Sequence, residues 1–262
     1  MTPERREILE RVANGDLTPE EAEFLLSAEA DEHPPTQTTT TIRRVRITAG
    51  FGAISVVGDA DVAEAEIEGV HQAHVDGDTL VISSDFDGVT PGAFAVSLGG
   101  RRGRRGRRIA VHTGLGGRGR SAGALRIRIN PSLELDASLD AGPLSISGID
   151  APIRARSSAG PITIDGVVAP VDVAVNAGAI RINGRLDHGD SRVRSDAGAI
   201  RIELADGSSV RISANAALGR VVLPGMKEGG RGFGSTHEVF VGDGDATLRV
   251  ETAMGSIQVI SR

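Results

Sequence analysis

Asp140-Ala-Gly-Pro-Leu-Ser-Ile146, Ser158-Ala-Gly-Pro-Ile-Thr-Ile164, Asn176-Ala-Gly-Ala-Ile-Arg-Ile182 and Asp196-Ala-Gly-Ala-Ile-Arg-Ile202 are four copies of one phrase. Its core, Gly-x-(Ile/Leu/Val)-x-(Ile/Val/Leu), opens at Gly52, Gly123, Gly142, Gly160, Gly178, Gly198, Gly219 and Gly255. From Gly123 the spacings are 19, 18, 18, 20 and 21, then 36, which is about two units. Within each copy the aliphatic residues alternate with period 2, the mark of a strand with one buried face. A fixed spacing between copies means one small unit stacked repeatedly.

One unit runs from Ser158 to Gly166 and on through Val167 to Val175, which gives two short strands and two turns. Stacking such units in register places Leu144, Ile162, Ile180 and Ile200 in one column and Ile146, Ile164, Ile182 and Ile202 in the next. Ser145, Thr163, Arg181 and Arg201 then point outward. The sequence thus predicts a mainly β, single-domain, β-solenoid-like stack of about ten rungs, built from ~18–20-residue two-strand repeats. The glycine that opens each phrase fits a tight corner with positive φ, which residues bearing a Cβ avoid. The polar residues two places before it, Asp140, Ser158, Asn176 and Asp196, are expected to stack and bond the turn's own N–H groups. A column of catalytic or calcium-binding carboxylates is the competing reading.

Outward from the repeats, alternation continues at Ile42, Val45 and Ile47, and at Ala63, Ala65 and Ile67 opposite Glu64, Glu66 and Glu68. Thr79 to Ser83 follows the turn Asp76-Gly-Asp78 as a hairpin signal. The β domain spans 42–262, and 32–41 is a Pro/Thr linker with nothing apolar to bury. Residues 1–31 predict a helical hairpin. Thr2-Pro3 starts the first helix, Asn14-Gly15 stops it, and Thr18-Pro19-Glu20-Glu21 is a capping box for the second. Such a hairpin is too small to be stable alone and wants a partner: a second copy of the chain, another protein or, as the plain reading, the end of the β array as a helical cap.

The chain has 262 residues, no Cys, no Trp, no Tyr and six Phe, so the core is aliphatic and thiol chemistry is excluded. No apolar run approaches the length of a spanning helix, and the charged start at Met1–Arg11 has no signal-like apolar region. The expectation is a cytoplasmic protein, able to sit at the membrane periphery. Net charge is −6, with −7 in residues 1–32 and +8 in residues 99–121.

The A-G-x-I-x-I phrases, preceded by ERREILERVANGDLTPEEAEFLL, resemble the bacterial "putative adhesin" β-strand repeat family, or toastrack domain, with an N-terminal SHOCT-like bihelical segment. The resemblance covers 42–262 for the β part and 2–30 for the hairpin. It implies a non-enzymatic scaffold or binding protein of the cell-envelope stress response, whose partners are membrane proteins or sensors. It carries no catalytic residue and no cofactor. The Gly/Arg-rich insertion at 99–121 departs from the family pattern.

That insertion is the strongest local anomaly. Arg101, Arg102, Arg104, Arg105, Arg107, Arg108, Arg118 and Arg120 alternate with glycine and cannot form a core strand. They fit a polyanion: an anionic membrane surface, an acidic protein face or, less well, nucleic acid, since no aromatic interleaves them to stack on bases. A solvated insertion that balances an acidic chain is the plain alternative. His71 and His74 have a metal-like i, i+3 spacing, but on a strand they face opposite ways. A polysaccharide-processing β-helix enzyme would need converging carboxylates, whereas Asp165, Asp172 and Asp187 occupy different parts of the unit.

Overall fold

The computed structural model describes residues 41–84, 124–226 and 236–262, with the backbone of 95–97 and 110–112. The expected hairpin and linker at 1–40 lie outside the described residues. All regular structure among the described residues is β. The chain forms β1 (Arg44–Phe51), β2 (Ala53–Gly58), β3 (Ala65–Glu68), β4 (Gln72–Asp76) and β5 (Thr79–Ser83). The short β6 (Ala95–Ser97) and β7 (Ala110–His112) follow, then β8 (Ala124–Ile129), β9 (Glu134–Ala141) and β10 (Leu144–Ser147). Next come β11 (Ile153–Ala159), β12 (Ile162–Val167), β13 (Val171–Ala177) and β14 (Ile180–Gly184). The long β15 (Asp190–Leu204) and β16 (Val210–Val222), with β17 (Thr236–Val241) and β18 (Ala246–Ser261), complete it.

Two parallel ladders organise these strands. The first runs β5–β1–β9–β11–β13–β15–β18–β16. The second runs β8–β2–β10–β12–β14–β15–β18–β16, where the last three strands contribute their C-terminal halves. Eight rungs are present among the described residues, and seven of them pass from the first ladder to the second at a glycine corner, the exception being β5/β8. Parallel ladders that both feed one interior explain why most inward residues are aliphatic.

The predicted columns form in register. Leu144, Ile162, Ile180 and Ile200 align, extended by Ile54 and Leu125 on one side and by Ile257 and Val221 on the other. All are buried, and each such side chain contributes roughly 1.5–3 kcal/mol relative to exposure. Ser145 and Arg181 point outward as expected. One inner column is not wholly aliphatic. Leu139, Ser157, Val175, Ser195, Thr252 and Ala216 share it, next to the corner. The hydroxyls of Ser157, Ser195 and Thr252 are buried without a hydrogen-bond partner among the described residues.

The corner glycine carries the predicted positive φ, 128° at Gly160. Its N–H is satisfied differently from expectation. Gly160 N donates to Ala177 O at 2.9 Å and Gly142 N to Ala159 O at 2.9 Å. The inter-rung backbone ladder therefore continues around the corner, and the stacked polar side chains are not needed to cap it.

Rung order in space differs from order in sequence at both ends. The β1/β2 rung, first along the chain, lies between β5/β8 and β9/β10. The final strand β18 lies between β15 and β16. The outermost strands then turn antiparallel: β4 on β5 at one end, β17 on β16 at the other, with β3 on β8. Antiparallel end strands do not offer the parallel register of the stack to another copy, a common way to blunt an edge.

Candidate functional site

On the outer face of the first ladder, strand pairing sets Arg46, Asp136, Arg154, Asp172, Arg192, Arg249 and Ser213 in one row. Charge sign alternates from Arg46 to Arg192. Arg154 Nε lies 3.3 Å from Asp172, and Arg156 reaches both Asp136 (3.9 Å) and Asp172 (3.7 Å). Such exposed pairs contribute little individually, but alternation spares the ladder like-charge repulsion. It fails at one place: Arg192 and Arg249 are register partners on β15 and β18. Neither guanidinium meets a carboxylate within 4 Å among the described residues, and Asp172, beside Arg192, is already engaged by Arg154 and Arg156.

An open depression of about 470 Å³ adjoins Arg249 of that pair. Arg249, Glu251, Ser213, Asn215, Thr236 and Arg194 line it. Arg194 is tied to Asp196 at 3.3 Å, and Asn215 Nδ2 donates to Thr236 Oγ1 at 3.1 Å. Glu251 pairs in register with Arg194 and Asn215 yet makes no ion pair among the described residues. Among the described residues the hollow thus combines a cation and a carboxylate that have no ionic partner with hydroxyls and an amide.

A second surface feature runs beside the corner glycines. Phe51, Ala141, Ala159, Ala177, Ala197, Met254 and Leu218 form one continuous column. Phe51 is 81% exposed, Met254 55% and Leu218 52%. Pro143, Pro161 and Ala179 flank the far side of the glycines, also exposed. The Phe51–Leu218 column is thus an uncharged ridge with large apolar groups at its two ends, and the flanking row closes on the exposed Arg220.

The eight arginines of the sequence-predicted polyanion site lie outside the described residues. The insertion's points of attachment do not. Ser84 N donates to Thr48 O, and Ala124 pairs with Ala53. Residues 85–123 therefore join β5 to β8 along the chain, and Arg101–Arg108 fall in the sequence between β6 and β7. His71 and His74 do not converge: His71 is fully buried and His74 exposed. His71 Nδ1 lies 2.9 Å from Gly69 O. A carbonyl only accepts, so Nδ1 carries the proton and buried Nε2 is left bare. Burial pulls the pKa of this ring below its ordinary value.

Asp165, Asp172 and Asp187 also stay apart: Asp165 is on β12 and Asp172 on β13, while Asp187 sits in a turn beside Arg185 at 3.0 Å. Two carboxylates are held below the usual range by guanidinium bonds: Asp59 by Arg128, and Glu203 by Arg201 (2.9 Å), with a further contribution from Arg262 (2.8 Å). No three acidic or imidazole groups cluster for a metal among the described residues, and no helix there is long and apolar enough to cross a membrane.

Arg192, Arg249 and the Phe51–Leu218 ridge are absent from the sequence-derived site. The repeat period aligns Arg192 with Asp172, but Arg249 joins that row only once β18 is known to precede β16 in the stack.

No protein-family model matches the sequence, and no curated protein matches it. Among solved structures, the crystal structure of a "putative cell adhesion protein" from Clostridium sporogenes is similar, at 12% identity and a TM-score of 0.41. The match covers 84% of this chain and 94% of that one.

Proposed function

We propose that this chain is a non-enzymatic scaffold or binding protein serving a bacterial cell-envelope stress system, whose β-solenoid-like stack presents surfaces to membrane proteins or sensors. The uncharged ridge from Phe51 to Leu218 carries the reading. Phe51 at 81% exposure and Met254 and Leu218 above half build nothing in the fold, and contiguous apolar surface of this kind marks interaction sites. The carboxylates of the outer ladder support it, since Asp136 and Asp172 are committed to arginines rather than paired across a groove as a general acid and base would be. The Arg101–Arg120 insertion supplies a second contact, with anionic lipid head groups at the cytoplasmic side of the membrane.

A photo-crosslinking residue in place of Phe51, introduced in the native cell, tests the reading. Adducts to membrane or sensor proteins at position 51, and none from the same group in place of Ser145, are the expected result. No adduct at position 51 overturns the ridge as a binding surface. Co-sedimentation with anionic but not zwitterionic vesicles, lost when Arg101, Arg102, Arg104, Arg105, Arg107 and Arg108 become Ser, tests the membrane contact separately.

A further inference from the structure

The geometry points to the depression on β15, β18, β16 and β17 as a binding site for a small acidic sugar, a hydroxyl-rich ligand of one or two rings carrying a carboxylate or phosphate. Three observations carry this. Arg192 and Arg249 are stacked in register on neighbouring strands, about 4.8 Å apart in the ladder direction, with no carboxylate partner among the described residues. Elsewhere in this row opposite charges alternate, so this like-charge step is the local exception, and a bound anion would relieve it. The adjoining hollow of about 470 Å³ is reached by Arg249 of this pair and not by Arg192. Its second carboxylate, Asp196, is neutralised by Arg194 at 3.3 Å, and the hollow's volume falls within the size range of small-molecule sites.

The remaining lining sorts into donors and acceptors suited to sugar hydroxyls. Glu251, on the same strand and face as Arg249, makes no ion pair among the described residues and can accept from hydroxyls. Ser213 pairs with Arg249 in register and offers a hydroxyl in the hollow, and the bonded Asn215–Thr236 pair retains the amide oxygen as an acceptor. A bare inorganic anion would use the arginines and ignore Glu251, which would repel it. An acidic sugar uses both. The site lies on the outer face of the first ladder and does not depend on the Phe51 ridge or the Arg-rich insertion.

The test is titration calorimetry on the full chain at low salt with digalacturonate, glucose 6-phosphate, maltose and inorganic phosphate. Binding of digalacturonate, glucose 6-phosphate or both, at least tenfold tighter than maltose and inorganic phosphate, is expected. The two acidic ligands separate a carboxylate-bearing from a phosphate-bearing source. R249Q should weaken that binding at least tenfold, and E251Q should weaken it while leaving inorganic phosphate unchanged or tighter. R249Q removes a like-charge neighbour, so its melting temperature should equal or exceed wild type, which separates lost binding from lost folding. Equal binding of maltose, equal binding of inorganic phosphate, undiminished binding by R249Q, or no binding of either acidic sugar would each overturn the proposal.

Discussion

Gly255 stacks directly on Gly198: a Cβ placed on Gly255 would lie 1.7 Å from the Gly198 carbonyl oxygen. Its φ of +150° adds conformational strain to that overlap. Two rungs therefore meet backbone to backbone at the corner, with no flexible side chain able to yield. Gly255→Ala should lower stability by about 3 kcal/mol. Gly77→Ala, at φ +60° with nothing within 4 Å, should cost about 1 kcal/mol from the left-handed conformation alone. Urea titration of both variants checks the difference, and equal losses would remove close approach as the reason for glycine at the corner.

Ile180 sits 1% exposed between Ile162 and Ile200 in the stacked column. Ile180→Asp places a carboxylate there with no partner within the aliphatic interior. The loss should be about 4 kcal/mol, a large fraction of the ~5–15 kcal/mol stability of an ordinary domain. A variant that melts with the wild type would mean the side chain at 180 faces solvent.

These columns were legible because period 2 within a phrase and a period near 19 between phrases are local facts. The aligned residues Leu144, Ile162, Ile180 and Ile200 follow from counting. The stacking order at the ends was not legible. The interval of 36 between Gly219 and Gly255 reads as two units in series, yet Gly255 inserts between Gly198 and Gly219. A period states that a segment forms a rung, not which rungs it lies between. The same limit hid the β5/β8 rung, whose two strands are separated by the insertion. It also hid the Arg192–Arg249 step, which exists only in the swapped order.

His71 gives stability a pH dependence of known sign. Its folded pKa is depressed below 6.5 because burial disfavours the charged ring, and among the described residues no acceptor faces Nε2 to receive a second N–H. The unfolded chain therefore binds the proton more readily than the folded one. The stabilisation is fully present above about pH 6.5 and is lost as pH falls below it, with a slope of at most ~1.4 kcal/mol per pH unit. Denaturant midpoints measured between pH 7.5 and 5 should fall toward acid in the wild type and flatten in His71→Gln. A parallel fall in both would assign the dependence to other groups.

The final strand is an inner rung, which makes truncation informative. In a stack whose last strand is outermost, removing the C-terminus frays one end. Here β18 is paired along its whole length with β15 on one side and β16 on the other. Deleting residues 246–262 removes the layer through which Val193 and Ile200 meet Ala214 and Val221, by way of Val250 and Ile257. β16, and β17 that rests on it, then have no ladder to join, since closing the gap would require the β15–β16 turn bonds Ala205–Gly184 and Ser209–Leu186 to move with them. Hydrogen exchange on the truncated chain should show residues 210–241 unprotected while β9 to β14 keep wild-type protection. Retained protection in β16 would mean that it re-pairs directly with β15, and that the inserted strand is dispensable to the stack.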